Sequence, residues 1–354
     1  MKNILMLHYD LHFYRIPIYN KLAEELKKEN INLIIWPEKI LNYDGEIKFD
    51  CIKKELNFNL YKKNLIEYNI DSVINFLQPR SPSFSFYFKI IFYTYFKNIP
   101  LIYYGHGLNL GSSSKVLYLI YNFLHLFYKS IILYTPNEIN VLWKIHHEKV
   151  EVAYNTLDLK ERDKLIHENK FEIRKKYNLE NEFVILFSGR IENRKRLDIL
   201  LEFMNKKKIQ NIKLLVVGPT DNKEILSQLT NNEQILYLGP IYDKEKMAEV
   251  FFISDVFSIP GHIGLGLVEA LYWGLPVLTI EGKHAPEIYY LDNKQNGFLV
   301  KDILELENKF IKLSKDSELL NRMSEKAKLT YKDKADIKYM LNGFIKSIKK
   351  VVGK

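Results

Sequence analysis

Apolar and polar residues follow two patterns along the chain, and each pattern predicts one kind of secondary structure. Short apolar runs rich in β-branched residues predict strands, whereas apolar residues spaced three and four positions apart predict helices. In the first half, strands are predicted at 3–8, 31–36, 73–77, 100–104, 131–134 and 150–154, and helices at 14–28 and 84–96. This order is typical of an α/β domain with a doubly wound parallel sheet.

A second alternation starts at Phe183 with the run VILFSGR and continues through a helix at 197–204 and the runs LLVVG and ILYLGP. In the last segment, six apolar residues share one helical face: Ile337, Met340, Leu341, Phe344, Ile345 and Ile348. A chain of 354 residues has room for about two domains. We therefore predict one domain at 1–160, a second at 161–330, and a C-terminal helix at 331–354.

The stretch 254–300 reads as strand, glycine-rich loop, helix and strand, with the loop at 260–264 and the helix at 265–273. Backbone N–H groups and the helix dipole favour an anion at such a loop. Glu269 lies in this helix, one turn after the loop. Its carboxylate can accept hydrogen bonds from two neighbouring hydroxyls, although an isolated helix glutamate is otherwise simply exposed.

Two cations follow the predicted strand at 183–187: Arg190 comes directly after Gly189, and Lys195 comes five residues later. Open parallel sheets bind ligands at the carboxyl ends of their strands. Arginine offers a diphosphate a bidentate fork, and lysine offers it a point charge. The alternative is a solvated basic helix start, because Arg194 and Arg196 flank Lys195.

The composition adds a basic surface to this picture. The formal net charge is +9, which favours polyanions such as nucleotide phosphates, acidic glycans or anionic lipid. Scattered lysines that only solvate the surface are the alternative. The sequence carries no nucleic-acid-binding motif, so we expect no nucleic-acid partner.

Cysteine usage and apolar run lengths indicate the compartment. Cys51 is the single cysteine, so no disulfide forms within the chain, which suits a reducing environment. No signal peptide pattern is present. The most apolar run, 116–128, is too short to cross a bilayer core of about 30 Å as a helix. We expect a cytoplasmic protein with this run as a buried or membrane-facing helix.

Residues of the stretch 254–300 carry a resemblance to a known family. The chain resembles the retaining nucleotide-sugar glycosyltransferases of family 4, whose fold is called GT-B. The matching residues are Gly264, Leu265, Glu269, Ala270, Gly274, Pro276, Val277, Glu287, Gly297 and Val300. The resemblance implies two Rossmann-like doubly wound domains that face each other across a cleft, with the last helix crossing back to the first domain.

The resemblance also implies roles for the donor-side residues. Gly189, Arg190 and Lys195 match the family pattern Gly-Arg-x-x-x-x-Lys, whose two cations contact the donor phosphates. Glu269 matches the residue that binds the nucleotide ribose. The remaining implied contacts are the backbone of Gly264 and Leu265 at the phosphates, and the segment from Gly239 to Ile241 beside the base.

One position departs from the family pattern. An acidic residue is expected eight positions before Glu269, and Gly261 stands there instead. The contact of that residue with the transferred sugar is then lost or supplied from elsewhere. The adjacent His262 is a candidate substitute, and a loop histidine without a role is the alternative. Glu287 matches a further donor-contacting glutamate of the family.

The first domain offers fewer candidates. His106 follows the predicted strand at 100–104, where many retaining members of the family have a histidine near the donor sugar and the acceptor. A lone histidine is otherwise more often structural. The segment after the first strand lacks the glycines usual in the family, and Asp10, His12 and Arg15 are acceptor-side candidates there.

The predicted function is transfer of a sugar from a UDP- or GDP-linked donor to a hydroxyl of a cell-surface glycan or lipid-linked acceptor, with retention of configuration. No metal or other cofactor is expected, since no DxD-type motif is present and Arg190 and Lys195 can stabilise the leaving diphosphate. A basic, aromatic first domain also suits contact with the inner face of an anionic membrane. The alternatives are a nucleotide-sugar epimerase with the GT-B fold and a non-catalytic sugar-nucleotide-binding subunit.

Overall fold

The computed structural model describes residues 1–41, 43, 45–76, 84–108, 114–206 and 211–353. The chain divides into a first unit, Met1–Asp158 with Ile337–Lys354, and a second unit, Leu159–Asp336. The domain prediction from the sequence put these boundaries near residues 160 and 330. The second division falls later because a π-helical turn, Tyr331–Ala335, continues the preceding helix within the second unit. Leu77 and Lys354, which end two predicted elements, lie outside the described residues.

The first unit is built on a parallel sheet of seven strands in the order β3-β2-β1-β4-β5-β6-β7. The strands are β1 (Lys2–His12), β2 (Ile31–Leu41), β3 (Asp50–Cys51), β4 (Ile70–Asn75), β5 (Leu101–Gly105), β6 (Ser130–Leu133) and β7 (Val150–Val152). Its helices are α1 (Ile16–Lys28), α2 (Phe58–Glu67), α3 (Phe84–Phe96), α4 (Lys115–His125) and, from the C-terminus, Ile337–Val352.

Both faces of this sheet are buried, as a doubly wound sheet requires. In β1, Leu5 and Leu7 point into one core cluster, and Ile4 and Met6 point into the other. The C-terminal helix covers the second cluster. It approaches the sheet closely at Gly343, where a Cβ would overlap backbone atoms of Val152 and Ala153.

The second unit has a parallel sheet of six strands in the order β10-β9-β8-β11-β12-β13. The strands are β8 (Phe183–Ser188), β9 (Ile212–Val217), β10 (Ile235–Tyr237), β11 (Val256–Ser258), β12 (Val277–Ile280) and β13 (Gly297–Val300). The helices are α5 (Lys170–Lys176), α6 (Leu197–Lys206), α7 (Lys223–Thr230), α8 (Lys244–Ile253), α9 (Gly266–Trp273), α10 (Ile303–Lys315) and α11 (Ser317–Thr330). The C-terminal helix Ile337–Val352 is α12 in chain order.

These two Rossmann-like units confirm the predicted α/β class with two doubly wound parallel sheets. The sequence-based prediction named no element at β3, α2, α7, α8, β13, α10 or α11, and it ended β1 at residue 8 where the strand continues to His12. The longer β1 pairs with β2 as far as His12 and Leu41. Within the described ranges, no helix has the length and apolarity needed to cross a membrane.

Candidate functional site

The loops that follow the strands of the second sheet are joined by backbone hydrogen bonds. The N–H of Gly189 donates to Val217 O at 2.9 Å, and the N–H of Gly218 donates to Gly239 O at 2.9 Å. Gly218 needs its positive φ of 146°, and a Cβ there would overlap the Gly189 carbonyl. The ends of β8, β9 and β10 thus form one continuous rim at the carboxyl edge of the sheet, where parallel sheets bind ligands.

The loop after β11 is joined to the same rim through the short turn Asn193–Lys195. The N–H of Gly261 donates to Lys195 O at 3.1 Å, and that of His262 donates to Arg194 O at 2.7 Å. A Cβ at Gly261 would overlap the carbonyl oxygen of Arg194. The acidic side chain that the family pattern places here therefore has no room in this backbone arrangement.

Lys195 is the partly buried cation of this rim. Its Nζ lies directly over Gly189, whose φ of 131° and missing Cβ make the approach possible. Burial lowers the pKa of the ammonium to about 8, and Glu192 opposes the shift. Lys195 takes part in no ion pair with any other described residue, so a partly desolvated cation faces the strand-end loop without a partner anion.

Arg190 and Lys195 differ in their surroundings. The Arg190 side chain is 72% exposed, and its Nε lies 3.8 Å from Glu192 Oε1. Glu192 also accepts a hydrogen bond from Arg194 Nε at 2.6 Å, and this bond contributes most to lowering the pKa of the Glu192 carboxyl. The sequence analysis missed Glu192, although its position two residues after Arg190 was a visible signal. The Arg190 side chain is therefore an exposed cation at the rim, whereas the Lys195 side chain packs against the backbone of Gly189.

Glu269 is a partly buried carboxylate in α9. Burial raises its pKa, and the guanidinium of Arg162 opposes the shift from 3.8 Å. Its Oε1 is buried and accepts no hydrogen bond from the described residues. Arg162 lies before α5 and donates from Nη1 to Lys244 O at 3.4 Å. No sequence spacing links Arg162 to Glu269, so the pair emerges only from the folded unit.

The other predicted donor-side residues surround the start of α9. Leu265 is the residue before the helix. A Cβ at Gly264 would lie 3.6 Å from Ala285 Cβ and 3.9 Å from Glu287 Oε2, which brings the buried Glu287 beside the loop. His262 donates a hydrogen bond from Nδ1 to Lys283 O at 2.9 Å.

Gly239 and Ile241 lie at the β10 end of the rim. Gly239 has a φ of 67° and open space where a side chain would be. Ile241 is half-buried. The structure thus brings the donor-side residues to one edge of one sheet, while their roles stay predictions.

In the first unit, His106 follows β5 and is held by an acidic partner. Its Nδ1 lies 2.8 Å from Glu138 Oε1, and Glu138 Oε2 accepts the backbone N–H of Thr135 at 2.8 Å. The ring of Tyr134 packs edge-on against the imidazole, with 4.3 Å between the centroids. Glu138 belongs to the capping box of the turn Pro136–Val141, and the sequence analysis missed it.

Asp10, His12 and Arg15 lie together in the first unit. They line a cavity of about 250 Å³ at the end of β1. Arg15 is buried, Asp10 is half-buried and His12 is exposed. The cavity is bordered by Phe76, just after β4, and by Tyr134, just after β6. It therefore lies at the carboxyl edge of the first sheet.

Residues 169–330 match the family model for Glycosyl transferases group 1. The match covers the rim loops, α9 and both strands that flank it. The second unit is a glycosyl transferases group 1 domain. Arg190, Lys195, Glu269 and Glu287 all lie inside the matched range, whereas Arg162, His106 and the Arg15 cavity lie outside it.

Two curated relatives are similar to about half of the chain. N-acetyl-alpha-D-glucosaminyl L-malate synthase of Bacillus anthracis is 26% identical over 203 residues, covering 54% of this chain and 51% of the relative. The O-antigen biosynthesis glycosyltransferase WclY of Escherichia coli is 23% identical over 186 residues, covering 50% of each. The chain spans about half the length of these curated relatives.

The crystal structure of Anabaena Alr3699/HepE in complex with UDP superposes with a TM-score of 0.75 at 17% identity, covering 99% of this chain and 100% of that one. At this identity the similarity establishes the fold alone. The fold, with two Rossmann-like units, is the GT-B fold that the resemblance implied, and the group 1 domain is the second unit.

Proposed function

We propose that the chain transfers a sugar from a nucleoside diphosphate sugar to a hydroxyl acceptor, with the donor held by the group 1 domain. The unpaired Lys195 carries this proposal. Its ammonium is partly desolvated over Gly189, and its pKa is lowered to about 8. A diphosphate at the rim would give the cation its missing partner and raise that pKa again.

Glu269 supports a nucleotide in the same place. A buried carboxylate oxygen to which no described residue donates a hydrogen bond is costly. Two vicinal hydroxyls of a ribose supply two donors to one carboxylate. The cation over the rim and the acceptor in α9 together fit a ligand with phosphate at one end and a diol at the other.

The proposed reaction breaks the bond between the anomeric carbon and the donor phosphate and forms a bond from that carbon to the acceptor oxygen. The acceptor proton leaves with the nucleoside diphosphate. Negative charge grows on the leaving phosphate, and Lys195 and Arg190 stabilise it. These cations make a metal unnecessary in the proposal, and we expect excess EDTA to leave the rate unchanged. We also propose retention of configuration, which proton NMR of the first product would test.

The names of two similar proteins support a proposal for the donor and the acceptor class. HepE is described in complex with UDP, which supports a uridine donor over a guanosine donor. WclY is an O-antigen biosynthesis glycosyltransferase, which supports a surface glycan as the acceptor class. Product analysis with and without acceptor separates this transferase from the epimerase alternative, since an epimerase needs no acceptor.

The first unit supports a further contact, with an anionic membrane at the cytoplasmic face. Val116, Leu119 and Phe123 are 64%, 53% and 48% exposed on one face of α4, and Leu126 continues that face. Tyr95 and Phe96 of α3 are exposed, and ring contacts through Phe127 join Tyr95 to Phe123. We call this set the α3–α4 patch. Three exposed lysines, Lys97, Lys115 and Lys129, flank it along the chain.

The decisive experiment measures UDP binding by calorimetry for the wild type, Lys195→Met and Glu269→Ala. Lys326→Met is the matched control, since Lys326 is an exposed lysine of α11. We expect UDP to bind the wild type and the control equally, and each site variant at least about tenfold more weakly. Equal UDP affinity in all four proteins would refute the donor site.

A further inference from the structure

Arg15 is a buried cation in the first unit, and none of the described residues supplies it with an anionic partner. Only 8% of the residue is exposed. Its Cζ lies 5.5 Å from the ring centroid of Tyr14 and 5.9 Å from that of Tyr134. Its Nη1 lies 4.0 Å from Met340 Sδ. In the described part of the chain Arg15 enters no ion pair, and its guanidinium is surrounded by two aromatic rings and a thioether.

This environment is unfavourable for a guanidinium in the unliganded protein. Cation–π contacts offset part of the desolvation cost, but a buried charge normally needs a carboxylate or phosphate beside it. Arg15 is also the residue before the first turn of α1, a helix of 13 residues whose dipole adds positive potential at the same point. Both features favour an anion that is not part of this unit.

The cavity beside Arg15 has the size of an anionic group rather than of a nucleotide. Its volume is about 250 Å³, below the usual range of ligand pockets of about 300–1,000 Å³. Asp10 is the acid among its described lining residues, and it lies beyond ion-pair distance of Arg15. His8 is neutral, since burial and then Arg15 lower its pKa to about 3.

Tyr134 connects this cavity to His106. One ring serves both: its centroid is 5.9 Å from Arg15 Cζ and 4.3 Å from the centroid of the His106 imidazole. Arg15 and His106 therefore contact the same aromatic ring. The Arg15 guanidinium and the His106 imidazole are thus separated by one aromatic ring.

We propose that the first unit binds an oxyanion of the acceptor, a carboxylate or a phosphate, at Arg15. The argument that an anion subsite exists uses only observations in the first unit. Its assignment to the acceptor rests on the transferase function proposed above. The acceptor hydroxyl would then approach His106 while the oxyanion anchors the molecule.

The test uses inorganic phosphate and malonate as probes, at constant ionic strength set with sodium chloride. The full-length Lys195→Met variant is the background, because we expect this substitution to weaken anion binding at the donor site. We expect phosphate or malonate to raise its Tm by several degrees, and we expect Arg15→Met in this background to abolish the shift. Arg322→Met, an exposed arginine of α11, is the matched control and should keep it.

A second arm measures UDP affinity of Arg15→Met with Lys195 intact. Unchanged affinity supports an acceptor anion. A loss equal to that of Lys195→Met would overturn the proposal, because the anion would then be the donor diphosphate. The proposal is also overturned if phosphate and malonate raise the Tm of the Lys195→Met background no more than sodium chloride does at the same ionic strength. Failure of UDP to bind the wild type would instead refute the donor site and leave the phosphate result standing.

Arg15→Lys is a second variant that tests the subsite even if Arg15→Met does not fold. Lysine keeps the charge and loses the bidentate fork, so we expect weaker phosphate binding by several-fold. If Arg15→Met does not fold, an unchanged phosphate affinity in Arg15→Lys refutes the subsite.

Discussion

The N–H of Gly261 donates a hydrogen bond to the carbonyl oxygen of Lys195, with 3.1 Å between the two atoms. This bond fixes the loop after β11 against the turn that presents the Lys195 ammonium. It forms only because position 261 has no side chain, since a Cβ would overlap Arg194 O. The absence of the family's acidic residue thus has a packing reason, and Gly261 contributes to the position of the cation instead.

Restoring an acidic residue should therefore weaken the protein. We expect Gly261→Asp to push the two loops apart and to lower the free energy of unfolding by about 2 kcal/mol, which corresponds to a Tm lower by about 6 °C. Gly282→Asp is the control, because a Cβ at Gly282 meets no atom within 4 Å. A Tm for Gly261→Asp equal to that of the control would contradict this account.

The lowered pKa of Lys195 predicts a pH dependence of donor binding. Below pH 8 the ammonium is charged and binds the diphosphate, whereas above its pKa of about 8 the free protein must take up a proton to bind. The Kd for UDP should then rise with pH by up to about tenfold per unit above pH 8.

Lys195→Arg provides the control for this dependence, because arginine stays protonated throughout the range. Its Kd profile should show only the titration of UDP itself. Calorimetry in buffers of different ionisation enthalpy should detect proton uptake by the wild type near pH 8 and none by the variant. Identical profiles for the two proteins would exclude Lys195 as the titrating group.

The raised pKa of Glu269 predicts a stability effect that runs opposite to its binding effect. A carboxyl with a raised pKa in the folded state favours folding when protonated, so stability is lost as pH rises from the unfolded pKa near 4.5 through the folded pKa. At pH 7 the wild type bears this cost, and Glu269→Gln does not.

We therefore expect Glu269→Gln to have a higher Tm than the wild type at pH 7, with the difference closing below about pH 4.5. Glu325→Gln, an exposed residue of α11, should show no difference at either pH. A Tm below that of the wild type at pH 7 would mean that the contact with Arg162 outweighs burial, and the pKa argument would fail.

Much of the fold was predictable because parallel sheets buried on both faces give distinct apolar runs. The missed β3 has two residues, too few for any period to show. The missed α2 has an N-cap, Asn57, whose side chain accepts from the N–H groups of Asn59 and Leu60. That cap and the spacing of Phe58, Tyr61 and Leu65 were a usable signal.

The candidate site was predictable where one loop carries the pattern and unpredictable where two loops meet. Gly189 and Lys195 are six residues apart, so one strand-end turn holds both. Arg162 meets Glu269 and Glu138 meets His106 only through tertiary contacts. Likewise, the sequence marked Gly261 as unusual, but only the neighbouring turn explains it.

Glu138 is expected to act as a positioning residue for His106. Glu138→Gln keeps the volume and removes the carboxylate that both Nδ1 and Thr135 N–H use. We expect kcat to fall about tenfold, and His106→Ala to lower it about a hundredfold, because each change loosens the position of the acceptor, while the Kd for UDP stays unchanged. Steady-state kinetics with His167→Ala as an exposed-histidine control would check this. An equal loss of UDP affinity would indicate a general structural defect instead.

The α3–α4 patch predicts salt-sensitive binding to anionic vesicles. Its apolar residues at 116, 119, 123 and 126 follow the helical period and face away from the core, and basic residues contribute about 1 kcal/mol each at an anionic surface. The full-length protein should float with vesicles that contain phosphatidylglycerol at low salt and remain unbound with neutral vesicles. The double variant Leu119→Glu/Phe123→Glu should not float, because two apolar side chains that would contact the lipid acyl chains are replaced by charged ones. Leu304→Glu, at a residue of α10 that is 64% exposed, should float like the wild type. Flotation of the double variant would place any membrane contact on another surface.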